Sequence, residues 1–306
     1  MEIKSKKLED ISIESEPTIL TGNEKLDKWF SSDGGIVKGT SIFMTGTPGA
    51  GKTTFLMYLI KILKDQTIYL YERETLMSKV RVQTANLNVV NKNAFFADKN
   101  DVKNFNEFLK EIDEIKPSIV MVDSLQAIAD EDFPELSGVE ARILVLNTLR
   151  KWCEDNNSTL ILIGHNTKDG EFAGENKIMQ YCDAHIEMVF NQESGERIMS
   201  WGIKNRKGPM GKLFYEITET NFEIYDENEW KIKKINKNTN NLELGLYNFL
   251  ETYFKFLNKK NIHYDDFVKE YKNQEKKIRK RHSTDSFEYI HELLNLTYYL
   301  KNKYKI

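Results

Sequence analysis

Eight consecutive residues, Gly46-Thr47-Pro48-Gly49-Ala50-Gly51-Lys52-Thr53, carry the most specific chemistry in the chain. They fit the pattern G-x-x-x-x-G-K-[ST], whose glycines let the backbone bend until successive N–H groups face a phosphate. The lysine supplies a point charge between the outer phosphates of a nucleoside triphosphate. The threonine hydroxyl suits a magnesium ion that keeps most of its water. Thr54 follows within the same helix start, where the helix dipole also favours negative charge. The segment from Gly46 to Thr54 is therefore expected to bind ATP, with Mg2+ held by Thr53 and by a carboxylate from elsewhere in the chain.

Asp123 is the candidate for that carboxylate, because it ends an apolar run at residues 118–123. Asp at a strand end also caps helices, which is the plainer use of the residue. Hydrolysis needs a base for the attacking water, expected near the end of a second strand. Glu72 and Glu74 both follow the run at 68–71, with Arg73 between them, and the residues alone leave the choice open. His165 stands where a fourth apolar run, 159–164, gives way to a polar segment. It either reports on the γ-phosphate or is an ordinary hydrogen-bonded histidine. Lys204 and Arg206, spaced by one residue in an extended segment, project the same way. They can clamp charge in a neighbouring subunit's site, or form an exposed basic turn.

The elements that must hold these groups are legible as alternation. Residues 41–45, 68–71, 118–123 and 159–164 are short and apolar on both faces, and helical stretches such as 140–155 separate them. That pattern predicts an α/β fold: a mostly parallel sheet with helices on both faces. The spacing then tightens. Residues 185–190, 197–203 and 212–217 read as antiparallel hairpins extending one edge of the sheet. Four regions are expected: a loose arm at 1–16, the nucleotide-binding domain at 17–234, an Asn/Lys-rich linker at 235–241, and a small C-terminal helical domain at 242–306.

Bulk properties narrow the class. The 306 residues are 40% hydrophobic and 30% charged, with a formal net charge of -3. No run of about 18 apolar residues is present, so no membrane span is expected, and the first residues lack the apolar stretch of a secretory signal. Cys153 and Cys182 have no metal-ligand spacing, which fits two buried thiols in a reducing cytoplasm. Residues 231–306 hold 17 Lys/Arg against nine Asp/Glu, while the rest hold 27 against 38. A basic tail on an acidic body points to a phosphate-bearing partner or to a solvated helical appendage.

Several blocks together resemble the RecA superfamily, and most closely its bacterial RadA (Sms) branch of DNA-repair ATPases. These are Thr21-Gly22 through Leu26-Asp27, residues 34–39, Val122-Asp123-Ser124-Leu125-Gln126, residues 137–142, and residues 164–174. Lys204-Asn205-Arg206-Lys207-Gly208 also looks like the finger of DnaB-type helicases. The resemblance spans roughly residues 17–226. It implies a RecA-like ATPase forming a hexameric ring or filament, with ATP at subunit interfaces and single-stranded or branched DNA as partner. It makes His165 the γ-phosphate sensor and Glu74 the glutamate in register with the family. Lys204 and Arg206 become the pair reaching the adjacent site, and the loops at 129–138 and 166–177 those facing DNA.

The departures are a first loop rich in acids, Arg73 between the glutamates, and neither a four-cysteine finger nor a Lon-like stretch within these residues. A KaiC-like assembly ATPase that touches no DNA is the main alternative. A small-molecule kinase shares the phosphate loop but has no visible lid.

Overall fold

The computed structural model describes residues 16–165 and 173–237, together with Lys269, Lys272, Asn273, Lys276, Lys277 and Lys280. Most of the expected arm and almost all of the expected helical domain lie outside the described residues. The chain divides into two compact units, residues 1–226 and 227–306.

In chain order the first unit opens with β1 (Thr18–Ile19), α1 (Glu24–Phe30), β2 (Ile36–Val37), β3 (Ser41–Gly46) and α2 (Lys52–Ile62). It continues through β4 (Ile68–Glu72), α3 (Met77–Asn86), β5 (Ala94–Asp98), α4 (Phe105–Ile115) and β6 (Ile119–Asp123). Next come α5 (Leu125–Asp132), α6 (Gly138–Asp155), β7 (Thr159–Ile163) and α7 (Ala173–Tyr181). The antiparallel part is β8 (Ala184–Phe190), β9 (Arg197–Asn205), β10 (Lys212–Ile217) and β11 (Phe222–Tyr225). The second unit begins with α8 (Glu227–Lys237).

Nine strands form one sheet in the order β11-β10-β9-β8-β3-β7-β6-β4-β5. From β8 to β5 every pairing is parallel, and from β8 to β11 every pairing is antiparallel. This is the expected architecture. Its cause is visible in β4, where successive side chains enter opposite layers. Ile68 and Leu70 join the core that α2 covers, while Tyr69 and Tyr71 join the core of α4, α5 and α6. A strand buried on both faces has no room for polar residues until its carboxyl end, and there Glu72 and Asp123 sit level across the β4–β6 pairing. Open parallel sheets bind ligands at that end.

Three expectations need correction. The loop expected at 129–138 is shorter: α5 runs to Asp132, started by Ser124, whose Oγ accepts the Ala127 N–H, and α6 begins at Gly138. The region at 166–177 is helical from Ala173 onward. The linker expected at 235–241 begins as helix, since α8 continues to Lys237. Two strands of this sheet escaped the pattern altogether, as did the separate β1–β2 pair. β5 is an edge strand with Phe95 44% exposed, so it lacks the continuous apolar signature of its neighbours. β11 closes the opposite edge.

Candidate nucleotide site

The phosphate-binding segment leaves β3 at Gly46, whose geometry no larger residue could share. A Cβ there would lie 1.9 Å from the Met188 carbonyl oxygen of β8. Gly51 has φ +96°, and a Cβ on it would strike Ile217 Cδ1 at 2.2 Å. Between them the loop is pinned from outside. Thr47 N–H donates to Met188 O at 3.0 Å, Phe190 N–H donates to Thr47 Oγ1 at 2.9 Å, and Tyr215 Oη donates to Ala50 O at 2.7 Å. Pro48 and Gly49 form the tip, with Gly49 at φ +76°. Lys52 Nζ folds back over the loop to Gly46 O at 3.1 Å. Burial holds the Lys52 ammonium below its ordinary range, against the pull of Asp123 and Glu74.

Side chains of Asn23, Asn104, Ser124 and Ser137 cap α1, α4, α5 and α6, and the first N–H of α3, at Met77, donates to Asp98 Oδ2 at 2.9 Å, whereas α2 begins at Gly51 with no side-chain cap. Its first N–H groups, including those of Thr53 and Thr54, thus have no side-chain acceptor and face the loop, an arrangement suited to an anion.

Thr53 Oγ1 donates to Asp123 Oδ2 at 2.6 Å, so the hydroxyl and carboxylate expected to hold magnesium meet at one point. Both are hard oxygens, the donor type that Mg2+ takes, and the pair fits that ion. Asp123 is 3% exposed, and burial pushes its carboxyl up despite the hydrogen bond from Thr53.

The structure separates the two glutamates. Glu72 is 1% exposed; its Oε1 accepts the N–H groups of Glu74 (3.0 Å) and Thr75 (2.8 Å), while Oε2 is buried with no partner. Burial, reinforced by the Asp123 charge, pushes Glu72 up to about 8. Through those two N–H bonds it shapes the turn. Glu74 lies beyond the strand, half-exposed. Its Oε1 is 2.9 Å from His165 Nε2 and accepts from Ser124 Oγ at 2.5 Å. His165 first, then Ser124 and Lys52, hold the Glu74 carboxyl below the usual carboxylate range. One ligand atom from each of Glu74, Asp123 and His165 lies within 4.8 Å of the others.

Lys204 and Arg206 do not join this group. Lys204 Nζ donates to Gln180 O at 2.8 Å, and Arg206 Nη1 pairs with Asp183 Oδ1 at 3.4 Å. Asn205, between them, is level with Ala184, and Ala184 is level with Ile42 of β3. That is four residues before Gly46, or about 13 Å along the strand. Sequence reasoning also passed over Ser124 and Gln126 as site residues. Gln126 Nε2 donates to the His165 carbonyl at 3.2 Å and so fixes where the histidine leaves β7. Their only signal was position, directly after Asp123.

A family model, the ATPase family associated with various cellular activities (AAA), matches residues 42–188, from the loop's strand through β8. Over these residues the chain is similar to that ATPase family, and its parallel sheet and glycine loop form a P-loop domain. Over this domain it is similar to DNA repair protein RadA of Salmonella typhimurium, 28% identical over 220 residues that cover 69% of this chain and 45% of RadA. RadA of Aquifex aeolicus is 27% identical over 214 residues, covering 68% and 46%. The chain spans less than half the length of these relatives. Among solved structures, the ATPase domain is similar in fold to a KaiC-like protein from Pyrococcus horikoshii OT3. The TM-score is 0.56 at 20% identity, covering 69% of this chain and all of that one.

Proposed function

We propose that this chain hydrolyses ATP and uses the cycle to act on single-stranded or branched DNA, as a motor of recombination, repair or replication. The observation that carries the hydrolytic part is the meeting of Glu74, His165, Asp123 and Thr53 beside an uncapped helix start. In this reading the amides of Gly49 and of Gly51 to Thr54, with the Lys52 ammonium, bind the phosphates. Thr53 and Asp123 would hold Mg2+, which neutralises phosphate charge when bound. Glu74 orients the attacking water and receives its proton; the depressed carboxyl keeps it ionised for that task. His165, whose Nε2 lies 2.9 Å from Glu74 Oε1, changes partner when a γ-phosphate arrives and passes that change to the segment after it.

Lys204 and Arg206 serve the adjacent subunit's site in a ring or filament. Their distance from their own loop supports a role in trans rather than in cis. The DNA part rests on the RadA relatives, which are named as DNA repair proteins, on the exposed cations Lys177 and Arg206, and on the half-buried Lys204. The test is the ATPase rate with and without single-stranded DNA across a salt series. Stimulation should fall steeply as salt rises. An ATPase indifferent to every DNA tried would overturn this part.

A KaiC-like assembly ATPase is the second reading, favoured by the exposed acids Asp130 and Glu135 in the region where a DNA loop was expected. An ATP-dependent oligomer with DNA-independent turnover would select it.

A further inference from the structure

Arg73 is a buried cation between two glutamates of the nucleotide site, and its side chain points away from both. Extended backbone alternates, so Tyr71 and Arg73 share the face opposite Glu72 and Glu74. The guanidinium side chain is 2% exposed. Its Nη1 donates to Tyr71 Oη at 2.9 Å and to Lys103 O at 3.1 Å. Its Nη2 donates to Glu131 Oε2 at 2.6 Å and Asp132 Oδ1 at 2.9 Å, both at the end of α5. Asp132 is itself held, since its Oδ2 accepts the Phe105 N–H that opens α4. The Arg73 N–H, meanwhile, donates to the Asp123 carbonyl at 2.7 Å.

One residue therefore ties the ends of β4 and β6, the end of α5 and the start of α4 to a single point. Its neighbour on the chain is the glutamate that faces His165. We infer that Arg73 is a positioning residue for Glu74, and that Glu131 and Asp132 are its fixed counter-charges rather than a surface facing a ligand. The inference rests on the reading of Glu74 as the water-orienting group.

The chemistry requires a group of this kind. Glu74 stands just past the last ladder residue of β4, where the sheet no longer holds the chain. Burying an unpaired guanidinium is costly, so the cation keeps its place only while both acids hold it. A planar fork with two carboxylate partners fixes direction as well as charge, which a lysine cannot reproduce. The same pairing accounts for two oddities of the sequence together: an arginine interrupting an acidic pair, and an acidic stretch some 58 residues later.

The test is a double-mutant comparison of steady-state ATP turnover. Arg73→Lys should lower kcat by about tenfold or more with KM for ATP within about threefold, because a small misplacement acts on the reacting geometry and not on phosphate binding. Glu131→Gln combined with Asp132→Asn should give the same split. On a Glu74→Gln background, Arg73→Lys should change the residual rate by less than about twofold, because a residue acting through Glu74 has nothing left to position.

A further drop on that background of the same size as in the wild type, or a kcat unchanged by both Arg73→Lys and the acid pair, overturns the inference. If Arg73→Lys melts early and loses activity, the acid-pair variant decides by the same kcat-against-KM split; Glu131→Gln alone, at a half-exposed residue, serves should that variant also unfold. Turnover untouched by Glu74→Gln instead refutes the reading of Glu74, and is thereby distinguished from failure of the Arg73 inference.

Discussion

The two ends of the parallel strands carry similar residues in different states. At the carboxyl ends of β3, β4 and β6, and at the start of α2, Lys52, Glu72, Arg73 and Asp123 are each less than 9% exposed. Burial moves the proton affinities of Lys52, Glu72 and Asp123 away from their ordinary values. At the other end, Arg206 is more than half exposed and meets Asp183 at 3.4 Å. Lys204 rests on a helix-end carbonyl and is lowered by burial and by Arg206. Water-excluded charge is where electrostatics are strong enough for chemistry; exposed charge is where a partner can be met at little desolvation cost. One sheet thus separates the proposed site of binding and cleavage from the pair proposed to reach outward.

Breaking the buried end should have the largest effect. Lys52→Ala removes the cation nearest the loop and should weaken ATP binding and lower turnover by about 100-fold or more, measured by nucleotide titration and phosphate release. Far-end Lys204→Ala should leave ATP affinity within about twofold and lower turnover by about tenfold in the assembled protein, because its target is a neighbour's transition state. Equal loss of binding and turnover would mean that the two ends are not separate.

The smallest effect sharpens the electrostatic half of the comparison. Glu72 binds its proton more tightly in the folded protein than in the unfolded chain. Between the ordinary carboxylate range and about 8 the folded state therefore holds more protons, and stability falls as pH rises through that window. Glu72→Gln should abolish this slope. The variant should melt higher than wild type at pH 8, by roughly 2–4 °C for each kcal/mol recovered, and the difference should shrink toward pH 5. Thermal melts across that pH range check it; parallel curves would contradict the buried, protonated state.

Much of this was legible in the residues. The glycine loop announces itself because its geometry tolerates few alternatives, and β3, β4, β6 and β7 because burial on both faces leaves unbroken apolar runs. β5 was not legible, since an edge strand with an exposed phenylalanine lacks that run. Nor was the helical character of residues 125–132. Glu131 and Asp132 look like solvated loop acids until Arg73, far off in sequence, is brought against them by the β4–β6 pairing. Local pattern also left Glu72 and Glu74 equivalent. They differ in where the strand ends, one inside the ladder and the other just beyond it beside His165.

Everything at the buried end converges on the glutamate beyond β4. The most direct measurement is single-turnover hydrolysis of bound ATP by Glu74→Gln, with nucleotide affinity determined in parallel. Affinity should stay within about threefold of wild type while cleavage slows by about 100-fold or more. Cleavage at the wild-type rate with ATP bound would contradict the assignment of Glu74 as the group that activates water.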